Sequence, residues 1–298
     1  MSSEEASEAF KQIRWNATNG DPVCPRCGCL RVYTYKTRAL FKCKACDHQF
    51  SITSGTIFAS RKLPVQTILL AIAIFVNGAK GHSALQLSRD LDVQYKTAFV
   101  LSHKIREAIA AEKAAATVSG TVSVDGAYFG GHIRPANHVE NRVDRRLAKH
   151  QTGKRRVVVI AREKDGKTLP FVFRTEAESL ETLGQRIEVG STVHADEATH
   201  WDALHSRYLT KRINHQQAYS ADGACTNDAE SFFSRLRRSE IGIHHSISRY
   251  LAAYAGEMAW REDNRRRSNG EQYLIAVNAA LAHPMSRQWK GYWQPKPH

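Results

Sequence analysis

No apolar run in this sequence is long enough to cross a bilayer. The most apolar stretch, "ILLAIAIFV" at Ile68–Val76, has nine residues, whereas a spanning helix needs about 20. It reads as a buried helix. The opening "MSSEEASEAF" is polar and acidic with no apolar core, so a secretory signal is not expected. Acidic residues are also scarce: 29 Asp and Glu stand against 43 Lys and Arg, a net charge of +14. That imbalance points to a polyanionic partner, nucleic acid being the usual one, although a generally basic protein would show it too. Cysteine is rare, with six residues in 298. With no targeting signal these six are expected in the reducing cytoplasm, where clustered cysteines bind metal more often than they form disulfides.

Four of the six stand as Cys24-Pro-Arg-Cys27 and Cys43-Lys-Ala-Cys46, fifteen residues apart. Each CxxC brings two thiolates to one ion from a tight turn, and two such knuckles close a tetrahedral site. The spacing predicts a zinc ribbon over 15–56 with Cys24, Cys27, Cys43 and Cys46 as ligands. A closed four-sulfur site leaves no position for water, so the Zn²⁺ is expected to be structural. Cys29 and Cys225 fall outside the pattern. Arg26, Arg31, Lys36, Arg38, Lys42 and Lys44 interleave with Tyr33, Tyr35 and Phe41, a mix suited to a DNA backbone, though many ribbons bind protein instead. Residues 61–113 read as wholly helical. Ala84, Leu87 and Leu91 line one helix, a break follows at Asp92-Val93, and Ala98, Leu101 and Ile105 line the next. That is the rhythm of a helix-turn-helix, shared by any small three-helix bundle.

From residue 118 the pattern changes to strands. "TVSVDGAYFGG" alternates and then presents Asp125 before Gly126, where the strand is expected to end. "KRRVVVIARE", "KDGK" and "TLPFVFRTE" form a hairpin signature with Asp165-Gly166 at its turn. A helical stretch from Glu176 to Glu188 leads to a short strand at Ser191–His194, Asp196 and a further helix. "KRINH" reads as a last strand before "TNDAESFFSRLRR". Wound as a helix, that final segment gathers Ala229, Phe232, Phe233 and Leu236 on one side and sets Glu230 beside Asn227 and Arg237 on the other. The order is a mixed α/β layer of the ribonuclease H-like kind. Asp125, Asp196 and Glu230 could converge there on two divalent ions that stabilise the oxygens of a phosphodiester displacement, and hard oxygen ligands suit Mg²⁺ or Mn²⁺. Each acid also has an ordinary reading: Asp125 as a turn residue, Asp196 as a helix N-cap, Glu230 as a solvated surface acid. Glu197, Asp222 and Asp228 are nearby rivals. Residues 132–156, basic and without apolar periodicity, are expected to form a mobile loop that contacts DNA.

These stretches, with "CPRCG", "FKCKACDHQFSITSGTIF", "LQLSRDLDVQYKTAF", "DRRLAKHQTGKRRVVVIARE", "YLAAYAGEMAWREDNRR" and "GYWQ", resemble bacterial insertion-sequence transposases of the ISXO-like group, in which a zinc ribbon precedes an integrase-like DDE domain. The likeness runs from about residue 15 to 295. It implies that Asp125, Asp196 and Glu230 bind catalytic Mg²⁺ or Mn²⁺, with Asn227 as understudy to Glu230, and that Arg237 contacts DNA. It also implies binding to terminal inverted repeats, cleavage, transfer into target DNA, a homo-oligomer on that DNA and a place in the nucleoid. The expected divisions are the ribbon, a helical DNA-binding unit over 61–113, a ribonuclease H-like domain over 118–270 and a C-terminal tail over 271–298. Three positions depart from the pattern: Gly126 where Glu is usual, Cys225 where His is usual, and Arg237 where Lys is usual. Two other readings fit the same motifs, a zinc-ribbon DNA-binding regulator without catalysis and a nuclease of the same fold that cuts without joining. Because thiolate ligation supplies much of a small ribbon's folding free energy, Cys24→Ser or Cys43→Ser is expected to lose zinc and specific end binding while the α/β domain stays folded. Metal analysis of wild type and variants, with a DNA-binding titration, checks both halves of that statement.

Overall fold

The computed structural model describes residues 2–35, 37–130, 136–144, 150, 153, 155–213, 220–221, 224–225, 227–245 and 247–292. Lys36, Asp222, the side chain of Cys225 and much of the basic segment 132–156, Arg145 and Arg146 included, lie outside the described residues. The chain divides into two units, one built from residues up to Glu112 together with those from Arg266 onward, the other from Lys113–Arg265.

The first unit opens with α1 (Ser3–Arg14), fixed at its start by a capping box: Ser2 Oγ accepts the Glu5 N–H at 3.1 Å, and Glu5 Oε2 accepts the Ser2 N–H at 2.6 Å. Nothing in the ribbon motif predicted this helix. At its far end Arg14 donates to the carbonyls of Ser51, Ile52 and Ser54, and burial lowers its pKa to about 10. Strands β1 (Val32–Thr34), β2 (Phe41–Cys43) and β3 (Gln49–Phe50) form an antiparallel sheet in that order. Trp15, Phe41 and Phe50 pack beneath it, with ring centroids 5.7 Å and 5.4 Å apart. Helices α2 (Val65–Asn77), α3 (Ala84–Asp90) and α4 (Tyr95–Ala111) follow. Ser83 Oγ caps α3 by accepting the Gln86 N–H. Asp92 takes a left-handed φ of 49° at the turn into α4. The apolar positions Leu87, Ala98, Leu101 and Ile105 are buried.

The second unit is a five-stranded sheet made by β4 (Thr121–Phe129), β5 (Arg156–Glu163), β6 (Thr168–Phe173), β7 (Thr192–Asp196) and β8 (Leu209–Ile213), with α5 (Leu180–Arg186) between β6 and β7. The spatial order is β6-β5-β4-β7-β8. The first three strands are antiparallel to one another, while β7 runs parallel to both β4 and β8. Asp165 adopts φ 56° in the β5–β6 turn, as the Asp-Gly signature expects. A two-residue pair, β9 (Ser220–Ala221) and β10 (Ala224–Cys225), precedes α6 (Asn227–Ser239) and α7 (Leu251–Asn264). Side chains alternate across a strand, so Val122, Val124, Val193 and Ala195 share one core with Leu183 and Trp201. Ala127, Phe129, Val158 and Ile160 face the opposite way, against Phe232, Phe233 and Leu236 of α6 and Leu251 and Met258 of α7.

The helix expected after Asp196 is present, as a 3-10 helix over Thr199–Ser206. Two expectations need correction. Asp125 does not end its strand: β4 continues to Phe129, because β5 pairs with it as far as Phe129↔Arg156. Residues 271–298 are not simply a tail, since α8 (Asn269–Ala282), opened by a second capping box at Ser268 and Glu271, packs on α2 and α4 of the first unit.

One buried carboxylate ties the second unit together. Glu262 of α7 accepts from Arg162 of β5 at 2.9 Å, from Arg265 at 2.9 Å, and from Arg235 of α6. Arg162 also donates to the Asp228 carbonyl in the first turn of α6, at 2.9 Å. Removing one partner of a buried pair strands the other charge. Glu262→Gln is therefore expected to lower the unfolding free energy by about 3 kcal/mol. Arg265→Ala, at the exposed end of the network, should cost no more than about 1 kcal/mol. Urea unfolding of the two variants side by side measures the contrast.

Candidate active site

The ribbon cysteines converge. Cys24 Sγ lies 3.7 Å from Cys46 Sγ, Cys27 Sγ lies 3.5 Å from Cys43 Sγ, and all four sulfurs fall within 4.8 Å of one another. Sulfurs about 2.3 Å from a common ion at the corners of a tetrahedron stand about 3.8 Å apart, so the donor set fits a structural Zn²⁺. Gly28 makes the first knuckle possible: at φ 71° its N–H donates to the Cys24 carbonyl at 2.9 Å. Cys29 points away, to the Arg31 carbonyl.

In the second unit the strand register places the two aspartates. The parallel ladder pairs Thr121, Val122 and Ser123 of β4 with Thr192, Val193 and His194 of β7. Two residues further along both strands stand Asp125 and Asp196. By alternation Asp125 shares the face of Ala127 and Phe129, and Asp196 the face opposite Val193 and Ala195. That common face is the one α6 covers, and α6 carries Glu230. The electrostatics follow. Burial first, and then the charges of Asp196, Glu176 and Glu230, push the Asp125 carboxyl up to about 7, against the pull of the Gly126 N–H that donates to its Oδ1 at 2.7 Å.

Asp196 Oδ1 accepts the Ala198 N–H at 3.1 Å, so it shapes the turn after β7 as well as facing Asp125. Its rival Glu197 is exposed. Asp228 faces Arg162, at 4.0 Å. Asn227, at the start of α6, is exposed. Arg237 is exposed too, its guanidinium 5.9 Å from the centre of the Phe129 ring. Among the described residues the cysteines are the only set of three or more ligand atoms drawn within 4.8 Å of one another. The carboxylates interact at longer range.

Sequence reasoning missed Glu176, a half-buried acid between β6 and α5 whose pKa is raised by burial and by Asp196 and lowered by His200. Nothing in "RTEAESLE" separates it from its neighbours. The available signal was Gly126, since a glycine inside a strand marks close approach by another group.

Residues 117–263 match the family described as the ISXO2-like transposase domain, and residues 1–49 match the transposase zinc-ribbon domain. The chain belongs to the ISXO2-like transposases. This transposase is also 25% identical over 295 residues to an uncharacterized protein in transposable element ISH50 of Halobacterium salinarum, covering 94% of this chain and 98% of the relative. No solved structure matches it. Among the described residues no helix of the transposase is long and apolar enough to cross a membrane.

The raised Asp125 pKa fixes the sign of a pH effect. Between the ordinary value of 3.8 and about 7 the folded chain holds a proton that the unfolded chain has released, so this group's contribution to stability falls as pH rises through that window and is fully unfavourable above it. Asp125→Asn is expected to stabilise the Mg²⁺-free transposase by about 2–4 kcal/mol at pH 8, with the gain shrinking below pH 5. Thermal melts of the two proteins across that range read it directly.

Proposed function

We propose that this transposase binds the terminal inverted repeats of its insertion sequence through the ribbon and the helical segment 61–113, and cleaves and joins DNA strands in the α/β unit. The observation that carries the catalytic part is the β4–β7 register, which sets Asp125 beside Asp196 under the helix that bears Glu230. The sheet order, three antiparallel strands followed by two parallel ones, supports a ribonuclease H-like fold. Asp125, Asp196 and Glu230 are acceptor-only oxygen donors when ionised, a set that fits hard divalent cations. Two Mg²⁺ or Mn²⁺ ions held there would activate the attacking oxygen and stabilise the leaving one. The chain's own groups do the rest. The carboxylates fix the reacting centre, and exposed Arg237, two turns beyond Glu230 and held near Phe129, offers a guanidinium to a DNA phosphate. In this reading the protein works as a homo-oligomer on the nucleoid.

The test is substitution of each acid by its amide. Asp125→Asn, Asp196→Asn and Glu230→Gln are each expected to abolish both end cleavage and strand transfer with Mg²⁺ or Mn²⁺, while binding to the terminal repeats survives. Asn227→Ala should weaken catalysis less than Glu230→Gln, an amide being a poorer ligand for a hard cation. Arg237→Lys should be tolerated better than Arg237→Ala. Full activity in the three acid variants would sink the two-metal mechanism; cleavage without joining in wild type would recast the protein as a nuclease.

A further inference from the structure

A cavity of about 420 Å³ lies within the first unit. One wall is α4, where Lys96, Thr97, Val100, Leu101 and Lys104 recur at helical spacing and so share a face. A second wall is the connection from β3 to α2, with Phe58, Arg61, Lys62 and Leu63. The third is the chain after α8, which turns at Gly291 with φ 63° and brings in Trp289 and Tyr292. Trp289 is buried and stacked on the His103 ring at 4.3 Å, while Tyr292 stands 4.8 Å from Trp289 and 6.2 Å from Phe99. Packing from α4 thus holds the aromatic wall in place. The charge is one-sided: Arg61, Lys62, Lys96 and Lys104 line the cavity, and no acid does. The first three are exposed, whereas Lys104 is half-buried, and desolvation lowers its pKa against the opposing pull of Glu107.

We propose that this cavity takes one unstacked nucleotide of DNA, its base in the apolar well beside Trp289 and Tyr292 and its phosphate among the four cations. This rests on the reading that segment 61–113 binds DNA. The choice of ligand follows from an apolar interior joined to a wholly cationic set of charged lining residues. The outside of a duplex offers phosphates but keeps its base faces stacked, so it satisfies the cations and leaves the well empty. An acidic peptide has the same shortfall. A nucleotide out of the stack presents an aromatic face and an anion close together, the combination that aromatic platforms in basic grooves recognise. The volume falls in the usual range for a small-ligand site, about 300–1,000 Å³. A phosphate beside Lys104 also offsets the cost of holding that ammonium out of water.

Fluorescence anisotropy with the zinc-loaded full chain tests this, using a labelled oligo-dT strand and an abasic strand of the same length. The two carry the same phosphates and differ only in their bases. Wild type is expected to bind oligo-dT about tenfold more tightly than the abasic strand, since stacking one base on an aromatic ring is worth about that factor. Val100→Phe fills the well without touching the charge and should erase the preference; Thr97→Phe, from the same wall, is the second filling variant should the first melt early. Lys104→Gln should weaken both strands by a similar factor and leave their ratio unchanged. Equal binding of the two strands by wild type overturns the proposal, and so does a preference that survives both filling variants. Poly-glutamate that competes with oligo-dT in wild type but not in Val100→Phe would reassign the well to an acidic protein segment. Oligo-dT binding that appears only on deletion of residues 293–298 would reassign it to the chain's own end. A labelled duplex separates the inference from its premise. Duplex binding with no preference for bases removes the nucleotide site alone, whereas no binding to duplex or single strands removes the DNA reading as well.

Discussion

The Glu262 carboxylate is the interaction on which the α/β unit depends. It is buried on α7 and gathers guanidiniums from β5, from α6 and from Arg265 just past the end of α7. Apolar packing alone would let α6 slide or rotate on the sheet, because Ala229, Phe232, Phe233 and Leu236 offer a broad greasy face and dispersion is non-directional. The charged bonds are directional. Arg162 grips both Glu262 and the first-turn carbonyl of Asp228, which fixes α6 two residues from Glu230. A buried ion pair is weak grounds for stability but good grounds for a defined geometry, and here the geometry it defines is that of the helix carrying the third acid.

The sheet makes the complementary contribution. Parallel pairing of β4 with β7 stops at Ser123↔His194, while β5 continues along β4 to Phe129. The outer half of β4 is therefore open on one flank, and Asp125 stands where that opening begins. The opening is what lets acids from three other segments approach Asp125 while the strand itself stays rigid. Burial first, and then the charges of these acids, hold the proton on the Asp125 carboxyl to about 7, and a buried site of like charges is set to accept positive charge.

Much of this was legible in the sequence, for identifiable reasons. The cysteine spacing is nearly sufficient for a four-sulfur site, and the period of "NDAESFFSRLRR" assigns each residue of α6 to its buried or open side. Asp125 and Asp196 were readable as candidates, but their adjacency needed the register, which no local pattern encodes. The end of β4 was misplaced because Gly126 looked like a strand breaker, when it is a strand residue making room for Glu176. Glu176 and Glu262 were invisible because their roles arise from residues a hundred or fewer positions away that only the folded sheet brings close. Helix α8 was read as a tail because the surface it packs on is built from residues nearly two hundred positions earlier.

That last feature has a bearing on how the chain is made. Helix α8 belongs with α2 and α4, yet the whole α/β unit is encoded between α4 and α8. On the ribosome, where domains fold as they emerge, the ribbon can close early, and the sheet with α6 and α7 can close once Asn264 is out. The helical unit must wait with an unfilled groove until Ala282 has been added. A helical unit made before the α/β unit is thus completed only after it, and a chain broken off at the end of the α/β unit leaves those earlier helices without α8.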